Sequence, residues 1–596
     1  MHQDDRAPLP AEAATAVFKP LRTILLLRRV GPFGWLLRGQ RFCGQLGNGP
    51  LDNGGVALMR VLLLSGLGPS FRNSAYLTGS FFDGSDGPNN ARDYLRGTPL
   101  SDFDLRQLAF RHRGETYPLL RPRRHEYPHL TTFTLLSILE RAAVDVVHLD
   151  AAALWAGTAV APSGPIDAVL LSTSYIWNQR LLSLALSWVQ EQFPGVFLIL
   201  GGQYSNLKYA EIMNRYPQVH TIVRGDAEVA LPRLLRAGRR NTSYPLIPNL
   251  VYRTDKSHWT QTSTGYIDID TMPRPALRGT FPVVPYESMR GCPFTCKFCS
   301  FPFASPKWRY KSAKKIVSDW QGYAETNGTV FVKSMDSTFT IPPSRLRALL
   351  RLLPDVDIEW EGYSRANVLD SPELIDAFVA AHCRFLSIGF ESMSDHTLGL
   401  MNKRVSRAQN LRAFRLLRGG DLGYRASFMV GYPGETPEDF ALTHTFLEED
   451  WHGHYMLSVF SISDETMPVW EDKQRLELVV HDPEDPDYSW SHIGMDVHEA
   501  RRLNHATLDA VRRNNEHAVL LLWQAAYQQW LVPALSTADN LKIEKAVARI
   551  GMAPRDHADP RAGSAAVQLQ LDGLRAMGVF LAPPHQLSRE PLWEAR

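Results

Sequence analysis

Apolar runs and amphipathic segments alternate along residues 59–235 of the chain. The runs are short and rich in Val, Ile and Leu, which is typical of strands buried on both faces of a parallel sheet. The segments between them carry apolar residues at helical spacing, as in Arg180–Phe193. This pattern predicts an α/β, doubly wound (Rossmann-like) domain over residues 59–240. Its predicted strands are Val61–Ser65, Val144–Leu149, Ala168–Ser172, Val196–Leu200 and His220–Val223.

A second series of strands and helices begins near residue 281 and continues to about residue 475. Repeated units of this kind predict a partial (β/α)6 barrel over 281–475, whose active site would lie at the carboxyl ends of the strands. Polar or glycine-rich clusters follow the predicted strands and mark this mouth. The predicted strands are Phe281–Ser288, Val330–Lys333, Ile358–Gly362, Phe385–Gly389 and Ala426–Val430.

The remaining segments lack this alternation. Residues 1–58 mix Pro, Gly, Ala and Arg without periodicity, so we expect a disordered N-terminal extension, with Met59 as a candidate start. Residues 241–280 are rich in Pro and Thr and predict a linker. Residues 476–596 predict a mainly helical C-terminal domain, with a long helix from Val497 to about Arg513.

Composition narrows the class of protein. A chain of 596 residues with 44% hydrophobic residues is long enough for several domains. The formal charge of +2 argues against a general nucleic-acid binder. No apolar run approaches the roughly 20 residues that span a bilayer, so we expect no membrane partner. Five cysteines, three of them close together, fit a reducing cytoplasm and a metal site better than a disulfide scaffold.

Cys292, Cys296 and Cys299 form a Cys-x3-Cys-x2-Cys motif with an aromatic residue, Phe298, before the last cysteine. Three thiolates at this spacing can hold three irons of a [4Fe-4S] cluster and leave the fourth iron open to a ligand. Zinc is the alternative reading of the motif. It normally takes four protein ligands, and no fourth Cys or paired His lies nearby in the sequence.

This motif resembles the signature of the radical S-adenosylmethionine (SAM) enzymes. Gly389-Phe390-Glu391-Ser392 resembles the family's fourth-strand element, and the glycine turn that begins at Gly431 resembles its fifth-strand turn. The resemblance implies that SAM binds the open iron and is cleaved after one-electron reduction of the cluster. The SAM-binding residues that it implies are Phe298, Asp336, Arg365, Glu391, Ser392, Gly431 and Gly434. Each of these residues could instead have a structural role.

The predicted first domain is similar to the cobalamin-binding module that precedes many radical SAM domains. The similarity rests on the small residues after the predicted strands and on the Gly-x-x-Glu at Gly225–Glu228. The cobalamin-binding residues that it implies are Ser65, Ser172, Thr173, Ser174, Gly201, Gly202, Gln203, Gly225 and Glu228. The Asp-x-His-x-x-Gly motif of other such modules is absent, so we expect cobalamin without a His lower ligand. A sheet domain that has lost its cofactor is the alternative.

The C-terminal region contains Trp490, His492 and Met495 within six residues. A similar segment occurs in the phosphinothricin-type P-methyltransferases, a subgroup of the class B radical SAM methyltransferases. This likeness makes Trp490 and His492 candidate catalytic residues in a substrate pocket. Aromatic packing at the start of a helix explains the same cluster equally well.

Together these features predict a cobalamin-dependent (class B) radical SAM methyltransferase of natural-product (antibiotic) biosynthesis. The expected acceptor is an unactivated carbon or phosphorus atom, with a phosphinate as the specific hypothesis and Arg309, Lys311 and Lys333 as candidate anion receivers. C-methylation of tryptophan or a peptide, and a non-methylating cyclase or mutase, are alternatives. A sensor or carrier without turnover is a third class. The expected partners are a small-molecule or peptide substrate and an electron donor such as flavodoxin or ferredoxin.

Overall fold

The computed structural model describes residues 59–66, 97–100, 109–113, 115–118, 129–176, 178–239, 241–462, 467–481, 489–520, 532 and 534–582. The predicted extension over residues 1–58 lies outside these residues, as does the part of the predicted C-terminal helix near Trp530. No helix within the described ranges is long and apolar enough to cross a bilayer.

Residues 59–261 build the first large sheet. Its spatial order is β4-β1-β5-β6-β7-β8-β9; the pairs from β4 to β7 are parallel, and β8 and β9 are antiparallel. The strands of this sheet are β1 (Arg60–Ser65), β4 (Asp145–Asp150), β5 (Ala168–Ser172), β6 (Phe197–Gly201), β7 (Thr221–Val223), β8 (Leu250–Arg253) and β9 (Trp259–Gln261). Strands β2 (Ala109–His112) and β3 (Glu115–Pro118) lie outside it. The helices are α1 (Leu130–Arg141), α2 (Ala151–Trp155), α3 (Gln179–Gln192), α4 (Gln203–Arg215) and α5 (Ala227–Ala237).

Strands β8 and β9 correct one prediction. They lie in the segment that we expected to be a linker, and they extend the first sheet from its β7 edge. A Pro- and Thr-rich composition does not prevent strands here, because Leu250 and Val251 are buried and Thr260 pairs with Tyr252 on the outer strand.

A second large sheet has the order β10-β13-β14-β15-β16-β17-β20 and is parallel throughout. Its first six strands follow the predicted strand–helix repeat, and the seventh comes from the C-terminal region. Its first six strands are β10 (Val283–Tyr286), β13 (Phe331–Ser334), β14 (Glu359–Arg365), β15 (Cys383–Glu391), β16 (Gly423–Val430) and β17 (Gly453–Val459). Strands β11 (Met289–Arg290) and β12 (Arg309–Tyr310) form a separate two-stranded sheet. The helices are α6 (Phe301–Ala304), α7 (Ala313–Asn327), α8 (Pro343–Leu352), α9 (Pro372–Ala380), α10 (Asp395–Leu400), α11 (Arg407–Gly419) and α12 (Pro437–Thr445).

The C-terminal residues contribute both helices and short strands. Strand β20 joins the second sheet, while β21 pairs with β2 in a small antiparallel sheet. The elements are β18 (Val479–Val480), β19 (Trp490–Ser491), α13 (Val497–Asn514), β20 (Ala518–Leu520), α14 (Thr537–Asp556), α15 (Pro560–Ala576) and β21 (Phe580–Ala582). Helix α13 begins where the sequence predicted, because the side chain of Asp496 caps the backbone N–H of Glu499.

Candidate active site

The three cysteines lie on a loop whose base is a two-stranded ribbon. Strands β11 and β12 pair antiparallel, so that Arg290 faces Arg309 and the loop 291–308 is held at both ends. Gly291 adopts φ +76°, and a Cβ there would lie 2.6 Å from the carbonyl oxygen of Lys307. Only glycine allows the backbone to approach so closely in this conformation. The ribbon therefore fixes the first cysteine directly after its own strand.

The thiol of Cys299 lies near those of Cys292 and Cys296, and a cation lies beside Cys296. Burial, together with the nearby thiols of Cys296 and Cys292, raises the pKa of the Cys299 thiol to about 11. Nη1 of Arg365 lies 3.6 Å from Sγ of Cys296, and its guanidinium stacks 3.8 Å above the ring of Phe294. In the part of the chain that the structure describes, no three His, Cys, Asp or Glu side chains are arranged to hold a single metal ion. A cubane cluster instead binds each thiolate to a different iron, and three adjacent thiols match that donor set.

Three of the residues predicted to bind SAM meet beside these thiols. Nζ of Lys403 lies 2.7 Å from Oε1 of Glu391 and 5.4 Å from the centre of the Phe298 ring. Arg365 donates to the backbone carbonyl of Lys403. The side chains of Phe298, Arg365 and Glu391 thus surround one position next to Cys296, at the carboxyl ends of β14 and β15. Sequence reasoning gave Lys403 no role, because its ion pair with Glu391 joins residues on different elements.

Asp336 and Ser392 are used by the protein itself. The carboxylate of Asp336 accepts hydrogen bonds from the backbone N–H groups of Ser288 and Met289 and from the hydroxyl of Ser334. Asp336 thus ties the end of β13 to the start of the ribbon, which gives it a structural role, and its predicted contact with SAM stays a prediction. Ser392 is fully buried, and its hydroxyl accepts from the N–H of Ser394.

The glycine turn after β16 is packed against the C-terminal region. Gly431 adopts φ +85°, and a Cβ there would lie 2.5 Å from the ring of Trp490. Trp490 is fully buried and stacks on His492 at 5.2 Å between ring centres. Nδ1 of His492 accepts from the N–H of Gly434 at 3.2 Å, and Nε2 lies 3.3 Å from the carbonyl oxygen of Gly431.

These contacts show how the fold holds the two aromatic residues, whose catalytic role stays a prediction. Burial lowers the pKa of His492 to about 4, so its imidazole is neutral at pH 7. Since Nδ1 accepts from backbone N–H groups, Nε2 carries the proton and donates to Gly431. Nε1 of Trp490 donates to Phe460 at 3.0 Å. Trp490 and His492 therefore support the turn, which is the packing role that the sequence left as the alternative.

The carboxyl edge of the first sheet brings together most of the predicted cobalamin residues. The hydroxyl of Thr173 donates to the carbonyl of Gly201 at 2.9 Å and contacts Oγ of Ser205 at 3.0 Å. Gly202 adopts φ +107°, and a Cβ there would lie 2.7 Å from the backbone nitrogen of Ser174. The backbones after β5 and β6 therefore touch, with the remaining predicted residues nearby. These are Ser65 at the end of β1, Ser172 at the end of β5 and Gln203 at the start of α4.

Two histidines that the sequence reasoning did not consider also lie at this edge. Nε2 of His148 is 2.9 Å from the carbonyl oxygen of Ser65, and Nδ1 of His129 is 2.8 Å from Oγ1 of Thr132. Burial lowers the pKa of His129 to about 4. No local sequence motif marks them, because His129 precedes a helix and His148 lies within a strand, and neither is in the loop after the first strand. The absence of a His lower ligand to cobalamin stays a prediction.

The carboxylates of Glu228 and Asp226 form an ionic cluster with two arginines. Oε1 of Glu228 lies 2.6 Å from Nη2 of Arg290, and Oδ1 of Asp226 lies 3.0 Å from Nη1 of the same arginine. The other oxygen of Asp226 lies 2.5 Å from Nη1 of Arg309. The carboxylate of Glu228 is thus neutralised by the arginine that precedes the cysteine loop, and its contact with cobalamin stays a prediction. Gly225 shares this turn, and its N–H donates to Oδ1 of Asn206 at 3.2 Å.

Comparison with known proteins supports the class that the sequence predicts, the radical SAM enzymes. Residues 286–447 match the family model described as the radical SAM superfamily, so this part of the chain is a radical SAM domain. An uncharacterized methyltransferase of Pyrococcus horikoshii is 25% identical over 268 residues, which are 43% of this chain and 58% of that protein. The anaerobic magnesium-protoporphyrin IX monomethyl ester cyclase of Cereibacter sphaeroides is 26% identical over 300 residues, 45% of this chain and 46% of that protein. The chain spans about half the length of these curated relatives.

The fold has a counterpart among solved structures. The radical SAM methyltransferase TsrM from Kitasatospora setae, solved with cobalamin and a [4Fe-4S] cluster, aligns with a TM-score of 0.52 at 15% identity. The alignment covers 74% of this chain and 96% of that chain. This likeness confirms the predicted α/β architecture, with a doubly wound sheet before a radical SAM barrel. The family match supports the predicted [4Fe-4S] cluster and SAM, and cobalamin stays a prediction.

Proposed function

We propose that this chain is a cobalamin-dependent radical SAM methyltransferase that transfers a methyl group to an unactivated carbon or phosphorus atom of a natural-product intermediate. The observation that carries the proposal is the ionic cluster at the base of the cysteine loop. Arg290 directly precedes Gly291 and Cys292, and it is paired with Asp226 and Glu228 in the turn after β7. The edge expected to hold cobalamin is thereby attached to the loop expected to hold the cluster.

Different residues of the chain would hold the cluster with SAM and the cobalamin. Cys292, Cys296 and Cys299 would hold the cluster, and Arg365 offers its guanidinium to the carboxylate of SAM, a geometry that suits bidentate binding. The turn at Gly202 would hold cobalamin, because backbone without a side chain allows close approach of a large planar ligand. When bound, the cofactors supply the one-electron and methyl-transfer chemistry, while the protein supplies orientation and exclusion of water. A flavodoxin or ferredoxin would supply the electrons.

The acceptor is part of the proposal. A phosphinate, as in phosphinothricin-type P-methylation, is the specific hypothesis, and C-methylation of tryptophan or a peptide is the nearest rival. A cyclase is the second candidate function, and the resemblance to the magnesium-protoporphyrin ester cyclase favours it. Retention of cobalamin by the reconstituted protein is the measurement that tests methyl transfer, since the proposed reaction needs a carrier for the methyl group between SAM and the unactivated atom.

Cys296→Ala is the first test, with Cys383→Ala as its matched control. Cys383 is buried on β15 and is not part of the cysteine loop, so both variants lose one buried thiol. After anaerobic reconstitution with iron, sulfide and hydroxocobalamin, we expect Cys296→Ala to lose the cluster absorbance and iron, while Cys383→Ala keeps both. Wild-type protein should retain about one cobalamin and cleave SAM under reducing conditions.

Two results would contradict the proposal separately. Failure of reconstituted wild-type protein to retain cobalamin would remove the methyltransferase function and leave a radical SAM enzyme. Absence of both 5′-deoxyadenosine and S-adenosylhomocysteine from reduced, anaerobic reactions, with the cluster loaded, would remove both enzyme functions and favour a sensor or carrier.

A further inference from the structure

The two faces of the second sheet have opposite chemistry. One face packs against the surrounding helices, and its residues belong to a large apolar core. Trp360, Leu386, Ile388, Phe428 and Leu457 are examples from four neighbouring strands. Successive side chains of a strand point to opposite faces. The alternate residues therefore point into the barrel.

Many of these inward residues are polar or partly exposed, although they alternate with buried neighbours along their strands. The burial of β16 alternates along Tyr424 to Val430, with Arg425, Ser427 and Met429 partly exposed and the residues between them buried. The other inward positions that are partly exposed are Lys333, Tyr363, Ser387, Gly389, Met456 and Ser458. The interior of a closed (β/α)8 barrel is normally filled by branched apolar side chains. Polar, solvent-accessible side chains indicate a chamber inside this partial barrel.

The strand register places the inward residues in layers. Tyr363 pairs with Ser387, and Ser387 pairs with Arg425, so these three side chains form one layer across β14, β15 and β16. The layer nearer the mouth contains Arg365 and Ser427, which both pair with Gly389. Neighbouring strands lie about 4.8 Å apart, so one ligand group can contact adjacent members of a layer.

The cations around the barrel differ in whether an acid neutralises them. Lys333 lies 3.0 Å from Glu361, Lys311 lies 3.3 Å from Asp319, and Arg309 pairs with Asp226. All three residues that the sequence offered as anion receivers are thus already paired with carboxylates. Arg425 has neither a salt bridge nor a hydrogen bond to any other described side chain.

The surroundings of Arg425 leave its charge available. Its partner position on β17 is His454, which is fully buried and paired with Glu544 of α14. Its partner position on β15 is Ser387, which has a short hydroxyl side chain and is itself partly exposed. An arginine guanidinium stays charged and binds a carboxylate or phosphinate through two parallel hydrogen bonds.

We infer that Arg425 is the anchor for an anionic group of the substrate inside the barrel chamber. This inference rests on the proposed function and names its substrate class: a carboxylate, phosphinate or phosphate carried at one end of the molecule. Arg425 lies one layer below Arg365, because Arg365 is level with Ser427, and two residues of β16 span about 7 Å. The substrate therefore places its anion deep in the chamber and its reacting atom at the mouth, beside Arg365 and the cysteine loop.

The test measures binding of matched probes to the reconstituted protein by saturation-transfer NMR. Butanoate and dimethylphosphinate are the anionic probes, and butanamide is the neutral probe of the same shape. Because hydrogen bonds to a charged group are among the stronger ones, we expect wild-type protein to prefer the anions over the amide by about tenfold or more. Arg425→Gln should abolish the preference, and Arg425→Lys should retain part of it.

Arg415→Gln is the matched control, because Arg415 lies on the exposed face of α11 and the substitution removes the same charge. Equal binding of anion and amide to wild-type protein, or undiminished anion preference in Arg425→Gln, would overturn the inference. If Arg425→Gln does not fold, Arg425→Lys decides the matter, since a structural arginine predicts unchanged preference in any folded variant. A different result for butanoate and dimethylphosphinate tells a carboxylate substrate from a phosphinate one.

Loss of the anion preference and loss of the proposed function are separate results. The probes need neither turnover nor SAM cleavage, so anion binding can be found in protein that retains no cobalamin. Conversely, protein that loads its cluster and cobalamin but shows no anion preference would keep the methyltransferase proposal and lose only the substrate class.

Discussion

Two side chains, those of Glu435 and His492, hold the backbone of the glycine turn at Gly431. The carboxyl group of Glu435 accepts from the N–H of Gly431 at 2.7 Å, and His492 contacts the carbonyl of the same residue. Burial raises the pKa of Glu435 to about 8. The turn is therefore held by one acid that favours the protonated form and one imidazole that favours the neutral form. Both groups keep charge away from the packed glycines.

The titration of Glu435 predicts a pH effect on stability. Its pKa rises from 4.5 in the unfolded chain to about 8 in the fold, so its contribution is fully present below pH 4.5 and is lost as the pH rises through 8. Between pH 6 and pH 9 the wild-type protein should lose about 3 kcal/mol of unfolding free energy from this group alone. Glu435→Gln is neutral at both pH values and should escape that loss.

Urea unfolding of cofactor-free protein at both pH values checks this expectation. Glu438→Gln is the control, because Glu438 is exposed in the first turn of α12 and the substitution changes the same charge. We expect Glu438→Gln to follow the wild-type pH dependence. Identical pH dependence in wild type and Glu435→Gln would show that the carboxyl titrates normally.

At the scale of elements, two adjacent glycines after β6 have different roles. Gly202 has φ +107° and would place a Cβ 2.7 Å from a backbone nitrogen, whereas a Cβ on Gly201 meets nothing nearer than 3.5 Å. A strained backbone conformation costs of the order of 1–3 kcal/mol, and the contact with backbone adds to it. We expect Gly202→Ala to destabilise the first sheet by about 2 kcal/mol or more and to weaken cobalamin retention, while Gly201→Ala changes little.

Thermal unfolding of the two variants, with absorbance of bound cobalamin after reconstitution, separates them. The pair is matched because the same methyl group is added one residue apart. Equal effects of the two substitutions would mean that the backbone contact between Gly202 and Ser174 has no importance for the sheet.

The elements themselves were largely predictable, and their ends were not. The strand Ala168–Ser172 and the start of α13 at Val497 agree with the sequence, because apolar runs and capping residues are local signals. The sequence did not locate β17, since Gly453–Val459 mixes Gly, His and Ser with its apolar residues. It also missed β8 and β9, whose strand character depends on pairing with β7.

At the scale of the whole molecule, the ionic cluster at the ribbon joins the two large sheets. Although burial acts to raise it, the pKa of Asp226 lies below its usual range because Arg290 and Arg309 stabilise the carboxylate. Removing one partner of a buried ion pair leaves an uncompensated charge and typically costs about 3–5 kcal/mol. Asp226→Asn should therefore loosen the cysteine loop from the first sheet.

Hydrogen exchange of residues 291–308 in cofactor-free protein measures that loosening. Glu287→Gln is the control, because Glu287 contacts the same Arg290 from a more exposed position, with 32% of its side chain accessible. We expect faster exchange in Asp226→Asn and nearly wild-type exchange in Glu287→Gln. Unchanged exchange in Asp226→Asn would mean that the ribbon alone holds the loop.

Long-range contacts explain which parts of the site the sequence revealed. The cysteine spacing is a local motif and was readable, as was the glycine turn at Gly431. The partners of Asp336 and Glu228 lie 48 and 62 residues away, so their structural use appears only after folding. A role for Arg425 could not be predicted, because an arginine within an apolar strand is informative only when the face of the sheet on which it lies is known.

The polar lining of the barrel has a consequence for how this protein can change over generations. Side chains such as Ser387 and Ser427 face the chamber rather than the apolar core, so exchanging them removes little packing. The helices outside the sheet carry the stability, while the inward positions can vary at small thermodynamic cost. A lineage could therefore acquire new acceptor molecules by altering lumen residues one at a time, with the scaffold left intact.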